Sequence, residues 1–233
     1  AAYTAIGTET SPGTRMIAVS GHVKRPGVYE IINGTTTFRD LIYGENFGQG
    51  IRDGNELKAF VPGGGSAPWF VADQLDIPFE GRQASSAGSM LGSGAVIVMD
   101  DTTDIPAAAL TLVKFYAHES CGKCVPCREG GTWLYRILER IVAGNGTDAD
   151  LDTIREVGQS ICPGEMPHAA SERLGLDAVP FPYKMTTICF VGPSAYVPVH
   201  SAMTLFPEEF AVLVTKREVR SMIPVTAAPV GGE

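Results

Sequence analysis

The chain has 233 residues, 44% of them hydrophobic and 19% charged, with a formal net charge of −8, a profile that suits one or two globular domains with a sizeable core. No apolar run approaches the ~20 residues of a transmembrane helix, and the acidic balance argues against a general nucleic-acid or anionic-membrane surface, since both depend on clustered Lys and Arg. The opening stretch from Ala1 to Gly7 has neither the basic start nor the apolar centre of a signal peptide, so it reads as the start of a processed chain or of a piece of something longer.

Residues 14–80 read as a small mixed α/β unit behind a short leading segment, 1–13. Residues 16–23 and 28–32 are β-rich runs joined at the Pro26-Gly27 turn, which makes a hairpin. After Asn33-Gly34, Thr36 or Thr37 caps a short helix through Leu41 and Tyr43, and residues 57–61 return as a strand. Hairpin, helix and returning strand together predict a β-grasp arrangement. The run Pro62-Gly63-Gly64-Gly65-Ser66 lacks the Lys-Ser/Thr and helix start of a phosphate-binding P-loop, so it reads as a turn allowing close backbone approach. Residues 81–103 read as a polar, glycine-rich surface linker and a short apolar strand, 95–99, which Asp100-Asp101 ends as a turn.

The remainder, 104–218, is predicted helical, with a mobile tail at 219–233. Asp104 before Ile105-Pro106 opens a first helix with Leu110, Val113 and Tyr116 on its apolar face. Trp133, Leu134, Ile137, Leu138 and Ile141 mark a second, stopped at Gly144, and Thr147 opens a third. A fourth is expected from about Pro198 through Leu205, with a break at Pro207. Between the third and fourth lies a loop from Cys162 to Thr187, rich in proline, whose length reads equally as a functional or partner-binding segment and as a passive insertion.

Cys121-Gly-Lys-Cys124-Val-Pro-Cys127 is the strongest chemical signal in the chain. Thiolates at this spacing on one turn can converge on a cubic iron–sulfur cluster, which needs four such ligands. Zinc is the competing metal, but its cysteine sites usually come as two separated pairs, and here one element is extended rather than repeated. Cys162 and Cys189 compete to be the fourth ligand. The bland reading of Cys162 is a small buried hydrophobe at a helix end, whereas a turn comes directly after Cys189 and leaves backbone amides to donate to cluster sulfur.

The full loop from His118 to Gly130 closely resembles the signature of the NADH-oxidising flavoprotein subunit of respiratory complex I, a family shared with NAD-reducing hydrogenases and some formate dehydrogenases. Residues 11–14, 20–30, 61–66 and 92–100 are similar to the family's β-grasp domain. Cys189-Phe-Val-Gly192, with Ala195, Pro198-Val199, Phe206 and Glu209, resembles the segment supplying the fourth thiolate, so the resemblance favours Cys189. It implies an α+β chain, a β-grasp domain followed by a C-terminal helical bundle holding a [4Fe-4S] cluster on Cys121, Cys124, Cys127 and Cys189. The family's amino-terminal Rossmann-like domain, which binds FMN and NADH, is not in these 233 residues, and no G-x-G-x-x-G replaces it.

The resemblance further implies an electron relay, taking single electrons from FMN reduced by NADH and passing them toward quinone, with no NADH oxidation by this chain alone. Lys123, Arg128 and the amides opening the helix after Gly130 are expected to place positive potential near the cluster, with a solvated surface charge the equal reading for Lys123 and Arg128, and His118 to hydrogen-bond a cluster sulfur or serve a structural role. His22, His168 and His200 are read as structural or surface residues. The implied partners are a thioredoxin-like [2Fe-2S] subunit and a large multi-cluster subunit, with a bacterial cytoplasmic location on the inner face of the cell membrane through those partners. A diaphorase subunit of a hydrogenase or formate dehydrogenase, and a structural zinc-bearing docking module, are the alternatives.

Overall fold

The computed structural model describes residues 2–163 and 185–215. Its first part is a four-stranded mixed sheet of β1 (Thr14–Gly21), β2 (Gly27–Ile32), β3 (Leu57–Val61) and β4 (Ala95–Asp100), in the spatial order β2-β1-β4-β3. β1 and β2 form the antiparallel hairpin that the sequence predicts, β1 runs parallel to β4, and β3 is antiparallel to β4. The first strand ends two residues earlier than expected because Gly21 turns the chain at φ +83°, a region open to glycine.

Helix α1 (Phe38–Tyr43) begins where a reciprocal cap forms. The Thr37 hydroxyl accepts from the Asp40 amide at 3.1 Å, and the Asp40 carboxylate accepts from the Thr37 amide at 2.9 Å. The segment expected as a surface linker is instead packed. It carries α2 (Gly81–Ser86), and Ala84 and Leu91 are buried. Ser89 is buried too, with its hydroxyl satisfied by the Pro68 carbonyl at 2.6 Å. Its polar composition conceals the apolar positions that dock into the core.

The helical part comprises α3 (Ile105–Glu119), α4 (Val125–Val142), α5 (Asp148–Ile161), α6 (Val191–Leu205) and α7 (Pro207–Ala211), with α4 packed against α3, α5 and α6. Asp104 caps α3 by accepting from the Ala107 amide at 2.9 Å, and Thr147 caps α5 through a box with Asp150. α6 starts seven residues before the expected Pro198, which therefore lies inside it. An interior proline normally breaks a helix, but this one sits in a stretch buried continuously from Gly192 to Val199, and tertiary packing on all sides overrides the local preference.

The central strands show how the two parts become one body. Along β3, Phe60 faces the core beneath α1 while Ala59 and Val61 face the helices; along β4, Val96 and Val98 face the first and Met99 the second. A strand covered on both faces must read as a continuous apolar run, which is what residues 95–99 do. Polar bonds clasp the junction: Lys58 meets Glu209 at 2.7 Å, Glu209 also accepts from the Ile105 amide at 3.2 Å, and Ser201 accepts from the Trp69 amide at 3.2 Å. Residues 164–184, where most of the proline-rich loop and His168 fall, and the tail beyond 215 lie outside the described residues.

Candidate metal centre

The cysteine loop links the end of α3 to the start of α4. Ser120 closes α3 in extended geometry, Gly122 turns the chain at φ +78°, and Cys124 is the N-terminal cap residue of α4. Pro126 sits in the first turn of α4, where its missing N–H costs no helical bond. Cys127, also in that first turn, is buried, while Cys124 is half-buried and Cys121 exposed.

Cys189 approaches from the other side of the chain, two residues ahead of α6. The Thr187 hydroxyl donates to the Cys189 carbonyl at 2.8 Å and fixes this turn, while the Ile188 amide donates to the Cys124 sulfur at 3.4 Å and ties the turn to the cysteine loop. Gly192, in the first turn of α6, makes the approach possible. A Cβ there would lie 2.8 Å from Thr187 Cγ2 and 3.3 Å from Cys127 Cβ.

The result is a cavity of about 100 Å³ that Cys121, Cys124 and Cys127 line from one side and Cys189 from the other. Ser120, Glu119, Thr187, Ile188 and Val191 complete its wall. All four thiols are free of disulfides. Among the described residues, no three cysteine, histidine or acidic side chains converge tightly enough to hold one metal ion. Four soft sulfur donors from two segments lining one cavity suit an iron–sulfur cluster. Cys124 caps the amino-terminal end of α4 and Val191 at the start of α6 lines this space, so the positive ends of two helix dipoles lie beside the cysteines.

Cys162 is elsewhere. It caps the end of α5, is 1% exposed and belongs to the helical core, where burial pushes its thiol up to about 12. That is the environment of an inert structural cysteine.

The three residues expected to surround the cluster lie at the rim, and none lines the cavity. Arg128 braces the loop from behind, donating to the Gly122 carbonyl at 2.8 Å and to Glu129 at 2.7 Å. The His118 side chain is 85% exposed and pairs with Glu119 at 3.1 Å, and Lys123 is exposed. The residue that sequence reasoning misses is Ser120, whose hydroxyl stands 3.3 Å from the Cys127 sulfur. A hydroxyl directly before a cysteine run is the signal that could have found it.

A second polar cluster lies apart from the cysteines. The sequence places Asp100 in a turn and makes His22 a structural or surface residue; the structure buries Asp100 completely and pairs it with His22 at 2.7 Å. Thr102, Asn55 and Arg52 also donate to its carboxylate, at 2.6, 3.0 and 3.4 Å. Burial by itself would raise the Asp100 pKa, but the bonds from Thr102, Asn55 and His22 outweigh it and hold the carboxyl well below the usual range. The cluster staples β4 to the loops beside it.

The fold brings four cysteines from two segments of the chain to the wall of one cavity. Residues 107–166 match the family described as the NADH-ubiquinone oxidoreductase-F iron-sulfur binding region. The chain is 36% identical over 215 residues to the F subunit of NADH-quinone oxidoreductase from Streptomyces coelicolor, covering 92% of this chain and 42% of that one. It is 37% identical over 208 residues to the corresponding Mycobacterium tuberculosis protein, covering 89% and 41%. A solved NAD+-reducing [NiFe]-hydrogenase in the air-oxidized state superposes with a TM-score of 0.72 at 26% identity, over 96% of this chain and 33% of that one. The chain thus resembles the carboxy-terminal part of the oxidoreductase F subunits and spans about two-fifths of the length of these curated relatives. Among the described residues no helix is long and apolar enough to cross a membrane.

Proposed function

We propose that this chain forms the electron-relay part of an NADH:quinone oxidoreductase, with Cys121, Cys124, Cys127 and Cys189 holding a [4Fe-4S] cluster. The observation that carries the reading is the shared cavity: four cysteines from two distant segments line it, and the fifth is sealed in the core. The similarity of residues 107–166 to an iron–sulfur binding region supports it independently.

The cluster, when bound, accepts and releases single electrons without bond-making to substrate. The chain's own contribution is to hold the thiolates apart at fixed positions, to present two helix amino termini to their negative charge, and to keep Cys127 from bulk water. In the proposed complex, electrons would arrive from FMN reduced by NADH on a region outside these 233 residues and leave over further iron–sulfur clusters toward quinone, with a thioredoxin-like [2Fe-2S] subunit and a large multi-cluster subunit as partners. The four-stranded unit with α1 on one face is read as a β-grasp domain docking these neighbours, and α3 to α6 as the cluster-bearing bundle. Attachment to the inner face of a bacterial membrane is then through partners. The hydrogenase diaphorase reading draws on the structural likeness, but the higher identity of the quinone oxidoreductase relatives favours the quinone-reducing complex.

Iron and acid-labile sulfide assays with EPR on the anaerobically prepared chain test this reading. About four irons and four sulfides per chain, with an EPR signal appearing on reduction, are expected. A colourless protein with one zinc contradicts it. NADH added to the chain alone is expected to leave the cluster oxidised.

A further inference from the structure

We propose that Ser120 tunes the reduction potential of this centre by donating its hydroxyl proton to the Cys127 sulfur. The inference rests on the cluster reading above and goes beyond the ligand set.

Ser120 Oγ lies 3.3 Å from Cys127 Sγ, inside the range of a hydrogen bond to sulfur, and both residues belong to the wall of the same cavity. The direction of the bond is set by chemistry. A cysteine bound to iron is a thiolate and has no proton to give, so only the hydroxyl can donate. The Gly122 amide, 3.4 Å away, donates to the same Ser120 oxygen. That amide occupies a lone pair and leaves the single hydroxyl proton free to turn toward Cys127. Gly122 can present its amide there because its backbone is left-handed, at φ +78°.

The consequence is electrostatic. Reduction adds one negative charge to a cluster whose thiolates share it, and a donor aimed at a thiolate stabilises the more negative state more than the oxidised one. Ser120 is half-buried at the end of α3, so water competes poorly for its place, and Cys127 is the most enclosed of the four ligands. The Ile188 amide does the same for Cys124 at 3.4 Å, but a backbone donor survives substitution. Ser120 is the donor that can be removed.

The test is a redox titration monitored by EPR on the loaded 233-residue chain and on Ser120→Ala, Ser120→Gly and Ser120→Thr, with iron and sulfide counted in each. Removing the hydroxyl is expected to lower the reduction equilibrium on the order of tenfold, about 59 mV to the negative side for one electron. Ser120→Thr, which keeps the hydroxyl, is expected to stay near the native value. Ser120→Gly provides a second removal if Ser120→Ala fails to hold the cluster. A native potential in either loaded variant lacking the hydroxyl, or a Thr variant shifted as far as Ala, overturns the role of Ser120 and leaves the relay reading intact. A native chain that binds no iron overturns the relay reading itself, and with it this inference.

Discussion

Around Phe38 the chain closes on itself, with the rings of Phe60, Phe79 and Phe70 centred 5.2, 5.3 and 5.8 Å away and all four buried. Around Cys127 it does the reverse, leaving two of the four thiols exposed and a cavity that all four line. The first region draws its stability from contacts the chain supplies, edge-to-face rings and apolar burial. The second positions donors but leaves their contact incomplete, so bound metal adds free energy that the protein lacks without it. The sheet unit is therefore expected to fold with or without iron, and the cysteine loop to tighten only with it.

Damage to the closed region challenges this contrast most severely. Phe38→Ala should cost about 3–5 kcal/mol of stability through the cavity it leaves, read by denaturant unfolding, while iron bound per folded molecule stays unchanged. Loss of iron from the folded variant would mean the two regions are coupled rather than separately built.

A smaller effect is expected at the Asp100 staple. Asp100→Ala should cost on the order of 2 kcal/mol at neutral pH, because charged hydrogen bonds are lost and donors are left facing a void. The sign of the pH dependence comes from its lowered pKa in the folded state. The contribution is fully present above the unfolded carboxylate value near ~3.9 and is lost as pH falls toward the lower folded value. Unfolding measured between neutral and acid pH should therefore show the native chain losing stability faster than Asp100→Ala. Parallel curves would contradict the assignment.

A change in stability of similar size to that at Asp100 should come at Gly192, yet there the cavity is the target. A methyl group at this position meets Thr187 Cγ2 at 2.8 Å and Cys127 Cβ at 3.3 Å, and crowding of this kind costs about 1–3 kcal/mol. Gly192→Ala is expected to melt a few degrees lower but to bind iron much less tightly, since the turn bearing Cys189 is pushed away from Cys127. Native iron retention would mean that the turn relocates freely.

Local signals carry a large part of this architecture. Thr37 and Asp104 announce their helices through side-chain caps, and the apolar periodicity of Leu134, Ile137, Leu138 and Ile141 marks α4. The run of three cysteines gives one wall of the cavity directly. Cys189 is reached through the turn that comes after it and through family resemblance, because spacing along the chain says nothing of which distant turn folds back. The true start of α6 is hidden because Pro198 is a local signal of breakage, and the packing that overrides it is non-local. Asp100 escapes for the same reason: its partners His22, Asn55 and Arg52 are far away in sequence, and each alone looks like an ordinary surface residue.

Comparing Cys189→Ser with Cys162→Ser after identical anaerobic iron and sulfide loading decides whether the shared cavity is the cluster site. Cys189→Ser is expected to lose the native cluster signal and its full iron content, while Cys162→Ser keeps both and only unfolds more easily. A native cluster in Cys189→Ser, or its loss in a folded Cys162→Ser, would show that the cavity is not the site.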